Sequence, residues 1–148
     1  MPVNADAVGR SYGPGEPYEV TRVKIREFAD AVGAPSEAHR SVEAAKAAGF
    51  SDLVAPTTFA VVIAQRAEFP AIVDPEVGVD FSKVVHADER FVHHRPLVAG
   101  DVISAVVHIE NIVQRAGISM VTTRAELTDA TGEPVSTVTS TLAVREDA

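Results

Sequence analysis

Pro56-Thr57-Thr58-Phe59-Ala60-Val61-Val62-Ile63-Ala64-Gln65-Arg66-Ala67-Glu68 is the stretch that decides the fold. Pro56 stands near a helix start, where a missing N–H costs nothing. The spacing predicts a helix from about Thr57 or Thr58 to Glu68, stopping before Pro70. Phe59 to Ala64 places apolar groups all round its first turns. A helix that is apolar on every side is buried on every side, so other elements must wrap around it. The run is also the longest apolar one in the chain and is far short of the roughly 20 residues that span a bilayer.

What wraps the helix lies downstream. From about Val84 the apolar period shifts toward two, which predicts strands over Val84–His94, Val102–Ile112, Ser119–Leu127 and Val135–Val144. In the last, Val138, Leu142 and Val144 share one face and Thr137, Thr139 and Thr141 the other. Asp129-Ala130-Thr131-Gly132-Glu133-Pro134 has the composition of a hairpin turn. Helices first and antiparallel strands afterwards define an α+β class, with a curved sheet around one buried helix.

Upstream, Ile25, Phe28, Ala29 and Val32 form one stripe of a helix over about Thr21–Val32, with Thr21 as its cap and Gly33 at its end. A short helix fits Val42–Ala48 behind Ser41. Tyr18-Glu19-Val20 reads as a short strand, and Ser11 to Pro17, with two glycines and two prolines, as a loop.

The chain has 148 residues, enough for one core that buries roughly 68–70% of the unfolded surface. It has no cysteine, which excludes disulfides, thiolate metal sites and a thiol nucleophile. With 13 basic and 21 acidic residues the net charge is −8, a poor match for nucleic acid or an anionic membrane surface. The first residues lack a basic segment followed by an apolar one, so the expectation is a cytoplasmic protein without a signal peptide, made of one domain over residues 1–148.

Two segments carry a family resemblance. Phe28-Ala29-Asp30-Ala31-Val32-Gly33-Ala34-Pro35-Ser36-Glu37-Ala38-His39, continuing through Ala44 to Phe50 and Val54-Ala55-Pro56-Thr57, resembles the hydratase motif of the MaoC-like hot-dog dehydratases and hydratases. Val84-Val85-His86-Ala87-Asp88-Glu89-Arg90-Phe91, running into His94-Arg95-Pro96 and Gly100-Asp101, is similar to the same family's sheet segment. Tyr18 to Ala29 resembles the actinobacterial MaoC-like N-terminal-domain type, which includes subunits of (3R)-hydroxyacyl-ACP dehydratases. The resemblance implies a hot-dog fold, a dimer (with itself or with a paralogue), and chemistry on acyl-CoA or acyl-ACP. That chemistry is hydration of a trans-2-enoyl thioester or dehydration of an (R)-3-hydroxyacyl thioester, with no cofactor or metal.

Residue by residue, the family histidine falls on His39 and the family aspartate on Ala34, which can neither orient water nor carry a proton. Glu37 in the same loop is the first candidate replacement acid; Asp30, Asp88 and Glu89 are weaker ones. The amides of Thr57 and Thr58, at the positive end of the central helix, map to the thioester oxygen site. His86 and Phe59 map to the pocket wall. His39 is equally well read as a loop histidine that caps the second helix. Arg22 and Arg26 share a helix face, read first as solvated and second as a phosphate contact. His93 and His94 are adjacent in a strand, so they should face opposite ways and share no ion.

Three functions compete: a hydro-lyase, a non-catalytic acyl-binding subunit that needs a catalytic paralogue, and a hot-dog thioesterase. The last needs a carboxylate on or near the central helix. Thr58 to Gln65 has none, and Glu68 comes late.

Overall fold

A computed structural model describes residues 2–146. Strands β1 (Ser11–Tyr12) and β2 (Tyr18–Glu19) precede helix α1 (Arg22–Val32), the short helix α2 (Val42–Ala47) and the central helix α3 (Ala60–Val73). Four long strands follow: β3 (Val84–His93), β4 (Val102–Arg115), β5 (Ile118–Thr128) and β6 (Pro134–Arg145). They form one antiparallel sheet in the order β1-β4-β5-β6-β3, with β2 also paired to β4. Among the described residues no helix is long and apolar enough to cross a membrane.

The caps explain the helical half. Thr21 Oγ1 accepts the Lys24 N–H at 3.2 Å, and Gly33 closes α1 in the left-handed conformation with φ 70°. Ser41 caps α2 in the same way as Thr21 caps α1. The segment expected to be loop, Ser11 to Pro17, begins instead with β1, whose Ser11 and Tyr12 pair with His108 and Val107. Gly13 permits this, because a Cβ there would lie 2.6 Å from the Ala105 carbonyl oxygen.

The central helix differs from expectation at both ends. Its regular part starts at Ala60, and Thr57-Thr58-Phe59 form a turn before it. It also runs through Pro70 to Val73. Proline loses its hydrogen bond to the residue four back, here Arg66. Both Pro70 and Arg66 are exposed, so water replaces the lost donor while the opposite face keeps Ala71 buried.

Phe59 is fully buried, edge-on to Tyr18 and Phe28 with ring centroids 6.4 and 5.3 Å away. Burying such a side chain is worth about 1.5–3 kcal/mol. Ala60, Ile63, Ala64, Glu68 and Ala71 are also buried. Val61 and Val62 are only half-buried.

β6 alternates as expected, with Val138, Leu142 and Val144 buried and Thr137, Thr139 and Thr141 half-exposed. The buried face also holds Ser136 and Ser140. β3 lies at the sheet edge, and its register against β6 shifts between His86 and Asp88, leaving Ala87 as an extra residue.

Candidate active site

Three backbone segments meet at the N-terminal end of α3. A 3-10 turn, Glu37–His39, is capped by the Ser36 hydroxyl. The Val54 N–H bonds to the Ala38 carbonyl, and Ala55 N–H to the Leu97 carbonyl at 2.8 Å. Between them lies a cavity of about 550 Å³, lined by Ser36, Ala38, His39, Phe50, Val54–Thr57 and His93–Leu97 among others.

His39 Nδ1 lies 2.7 Å from the Val54 carbonyl oxygen. A carbonyl only accepts, so Nδ1 carries the proton and Nε2 is left as the acceptor. That is the tautomer a base needs. No Asp or Glu lines this cavity. Glu37 is exposed and not part of the lining. Asp30 is tied to Arg40 at 2.9 Å, and Ala34 is half-buried with its N–H on the Ala29 carbonyl.

Thr57 lines the cavity and Thr58 follows it in the turn. Among the described residues neither N–H has a hydrogen-bond acceptor. Both lie at the positive end of a 14-residue helix. His93 and His94 both line the cavity, contrary to the alternation expected of strand neighbours. β3 ends at His93, so His94 is already past the strand. Among the described residues, no three His, Asp or Glu cluster as metal ligands.

The cations considered for phosphate are engaged within the chain. Arg22 holds Asp52 through two hydrogen bonds at 3.0 and 2.9 Å, and Arg26 donates to the Arg40 carbonyl. The Arg22 hydrogen bond, with help from the Leu53 N–H, holds the Asp52 carboxyl down at about 2. Arg95 bridges Asp101 and Asp129, tying the cavity wall to the β5–β6 turn. A separate cavity of about 580 Å³ lies by Tyr18, Lys24 and Arg66, where the Arg66 guanidinium sits 5.3 Å over the Tyr18 ring.

His86 lies elsewhere. It lines a cavity of about 370 Å³ near the C-terminal half of α3, with Gln65, Glu68, Phe69, Ile72, Phe81 and Leu142. Phe59 is in neither cavity wall but in the core. His86 Nε2 is 2.5 Å from Glu89, and the Ser140 hydroxyl is within 2.7–2.8 Å of both Glu89 oxygens and 2.7 Å from Glu68. One hydroxyl has one proton and cannot donate to two carboxylates at once. Burial, and less strongly the Glu89 charge, raises the Glu68 pKa, while the Ser140 hydrogen bond opposes the rise. Sequence reasoning gives this buried acid no role. A signal is present all the same: Ala60, Ala64, Glu68 and Ala71 lie on one helical stripe.

A sheet curved around one long helix, with a histidine cavity at that helix's N-terminal end, defines a hot-dog dehydratase-type protein. Residues 6–138 match the model of the FAS1-like dehydratase domain region, and the chain belongs to that family. It is 50% identical over 145 residues to a UPF0336 protein of Saccharopolyspora erythraea, covering 98% of this chain and 93% of that one. Its structure is similar to the HadBC (3R-hydroxyacyl-ACP dehydratase) complex from Mycobacterium tuberculosis, with TM-score 0.85, 35% identity and 93% and 97% of the two chains covered. A MaoC-like dehydratase superposes with TM-score 0.87 and 34% identity over 95% of this chain, which spans 42% of that longer one.

Proposed function

We propose that this chain binds acyl thioesters, carried on coenzyme A or acyl carrier protein, as part of a cytoplasmic (R)-specific hydro-lyase. In this reading it interconverts 2-enoyl and 3-hydroxyacyl thioesters only when paired with a paralogue that supplies the missing carboxylate. The observation that carries the reading is a cavity holding His39 in its basic tautomer with no acid in its wall. The hydroxyl of water bonds to the β-carbon, the proton that water gives up passes to a base, and a proton is delivered to the α-carbon. His39 Nε2 moves one of these protons, while the thioester oxygen takes up charge beside the free amides of Thr57 and Thr58. The partner's carboxylate orients the water.

Two further features favour a partner chain. Val61 and Val62 of α3 are only half-buried, and Phe69, Phe81 and Val85 are exposed. The similar HadBC protein is, by its description, a complex.

The test is loss of the conjugated thioester absorbance of crotonyl-CoA and of a longer trans-2-enoyl-CoA. The expected result is no turnover by the chain alone, and turnover when it is mixed with a paralogue that supplies the aspartate, lost again when this chain carries His39→Ala. Ordinary turnover by the chain alone, lost in His39→Ala, would overturn the partner requirement and point to Glu37.

A further inference from the structure

The turn that presents the two free amides is held from both sides. The Pro56 carbonyl accepts the Phe59 N–H at 2.9 Å. The Thr57 carbonyl lies 2.7 Å from His93 Nε2. Because a carbonyl only accepts, Nε2 must carry a proton, and in the neutral ring Nδ1 accepts from the Ser136 hydroxyl at 2.8 Å. Ser136 is buried opposite His93 in the β3–β6 pairing, and the Phe91 ring stacks on the imidazole at 5.7 Å and 18°. The ring is thus fixed by a hydroxyl, an aromatic face and the carbonyl it serves.

A peptide unit is planar and trans, so its C=O and its N–H point in opposite directions. Clamping the Thr57 carbonyl therefore sets the direction of the Thr58 N–H. The Phe59 bond does the same for the Thr57 N–H through Pro56. Donors aimed before the substrate arrives need no reorganisation when charge develops.

We infer that His93 is a positioning residue for the thioester oxygen site: it orients the Thr57–Thr58 peptide toward a thioester carbonyl. This rests on the acyl-thioester reading above. His93 holds the donor rather than the substrate, so it is not a catalytic residue. Its effect depends on a carbonyl being present in the ligand, which a merely structural histidine would not show.

The experiment follows the carbonyl stretch of bound trans-2-enoyl-CoA by difference Raman spectroscopy, alongside the Kd of that thioester and of a thioether analogue that lacks the carbonyl. In the unaltered chain the stretch is expected to move to lower frequency, as a polarised carbonyl requires. His93→Phe keeps a ring against Phe91 but has no donor. It is expected to lose most of that shift and to bind the thioester about tenfold more weakly, the scale of one lost hydrogen bond, with thioether affinity unchanged. His93→Gln, which restores an N–H donor, is expected to recover the shift. If His93→Phe does not fold, His93→Asn, too short to span the gap, carries the same readout. A variant that keeps both the shift and the thioester preference would overturn the role of His93 and leave the acyl-thioester reading standing. Binding of neither ligand by the unaltered chain would overturn that reading, and this inference with it.

Discussion

The two ends of α3 are built from the same parts and do different things. At each end a histidine on the inner face of β3 and a buried serine of β6 meet the helix. At the N-terminal end these are His93 and Ser136, and the helix side contributes a backbone carbonyl, that of Thr57. At the C-terminal end they are His86, acting through Glu89, and Ser140, and the helix contributes the Glu68 carboxyl. A carbonyl accepts and never titrates, so the first arrangement has one fixed direction for its hydrogen bond. Carboxyls exchange protons, so the second stores charge. An inner-face histidine thus holds a fixed backbone group at one end and joins a hydrogen-bonded cluster of acids at the other.

The largest effect expected from this contrast is on turnover. If the proposed pairing with a carboxylate-bearing partner holds, His39→Ala should lower hydration of trans-2-enoyl-CoA by the pair about 10²–10⁴-fold, the usual range for a lost general base. Glu68→Gln at the other end should leave the rate of the same order. If Glu68→Gln were as damaging as His39→Ala, the chemistry would not be confined to the N-terminal end.

Stability separates the ends next. Ser140→Ala removes the hydroxyl shared by two acids, one of them 2% exposed, and should cost about 1–3 kcal/mol in denaturant unfolding. Ser136→Ala frees one nitrogen of a solvent-accessible ring and should cost about 0.5–1.5 kcal/mol. Equal costs would erase the distinction between a charge store and a geometric lock.

The smallest effect is in pH dependence. Burial raises the Glu68 pKa in the folded chain, so folding keeps a proton on a group that the unfolded chain would release. The stabilisation is complete below the ordinary glutamate value of 4.5 and declines as pH rises through the elevated folded value. Glu68→Gln imitates the protonated acid at every pH. Unfolding curves measured across that window should therefore lose their alkaline decline in the variant. A slope unchanged by Glu68→Gln would assign it to another group.

The sheet is the part of the fold most legible in the amino-acid sequence. The four long strands stand within three residues of where the period-two pattern puts them, because half-buried strands write their faces directly into the sequence. β1 is not legible in this way, because Gly13 and Pro14 signal a turn and its pairing with β4 spans some 97 residues. The end of α3 is misplaced by its proline, whose effect depends on an exposure that the local sequence does not record. At the site, the His39 loop is recognisable as a motif. The clamp of His93 on Thr57 is not, since it joins residues 36 apart through a strand pairing that only the sheet establishes.

The extra residue at Ala87 bears on how this chain tolerates insertions and deletions. Residues three apart on a regular strand face opposite ways, yet His86 and Glu89 both face inward, because Ala87 is left without a partner between Leu142 and Thr141. Removing that one residue would leave His86 and Glu89 two apart on an unbroken pleat, both still inward, whereas removing Arg90 from the regular run would turn either the His86–Glu89 side or Phe91 and His93 outward. Loss of the Ala87 codon would therefore keep the polar contacts at both ends of the central helix, and loss of the Arg90 codon would dismantle those at one end or the other. Loss of a codon in the turn at Thr131 would leave both intact.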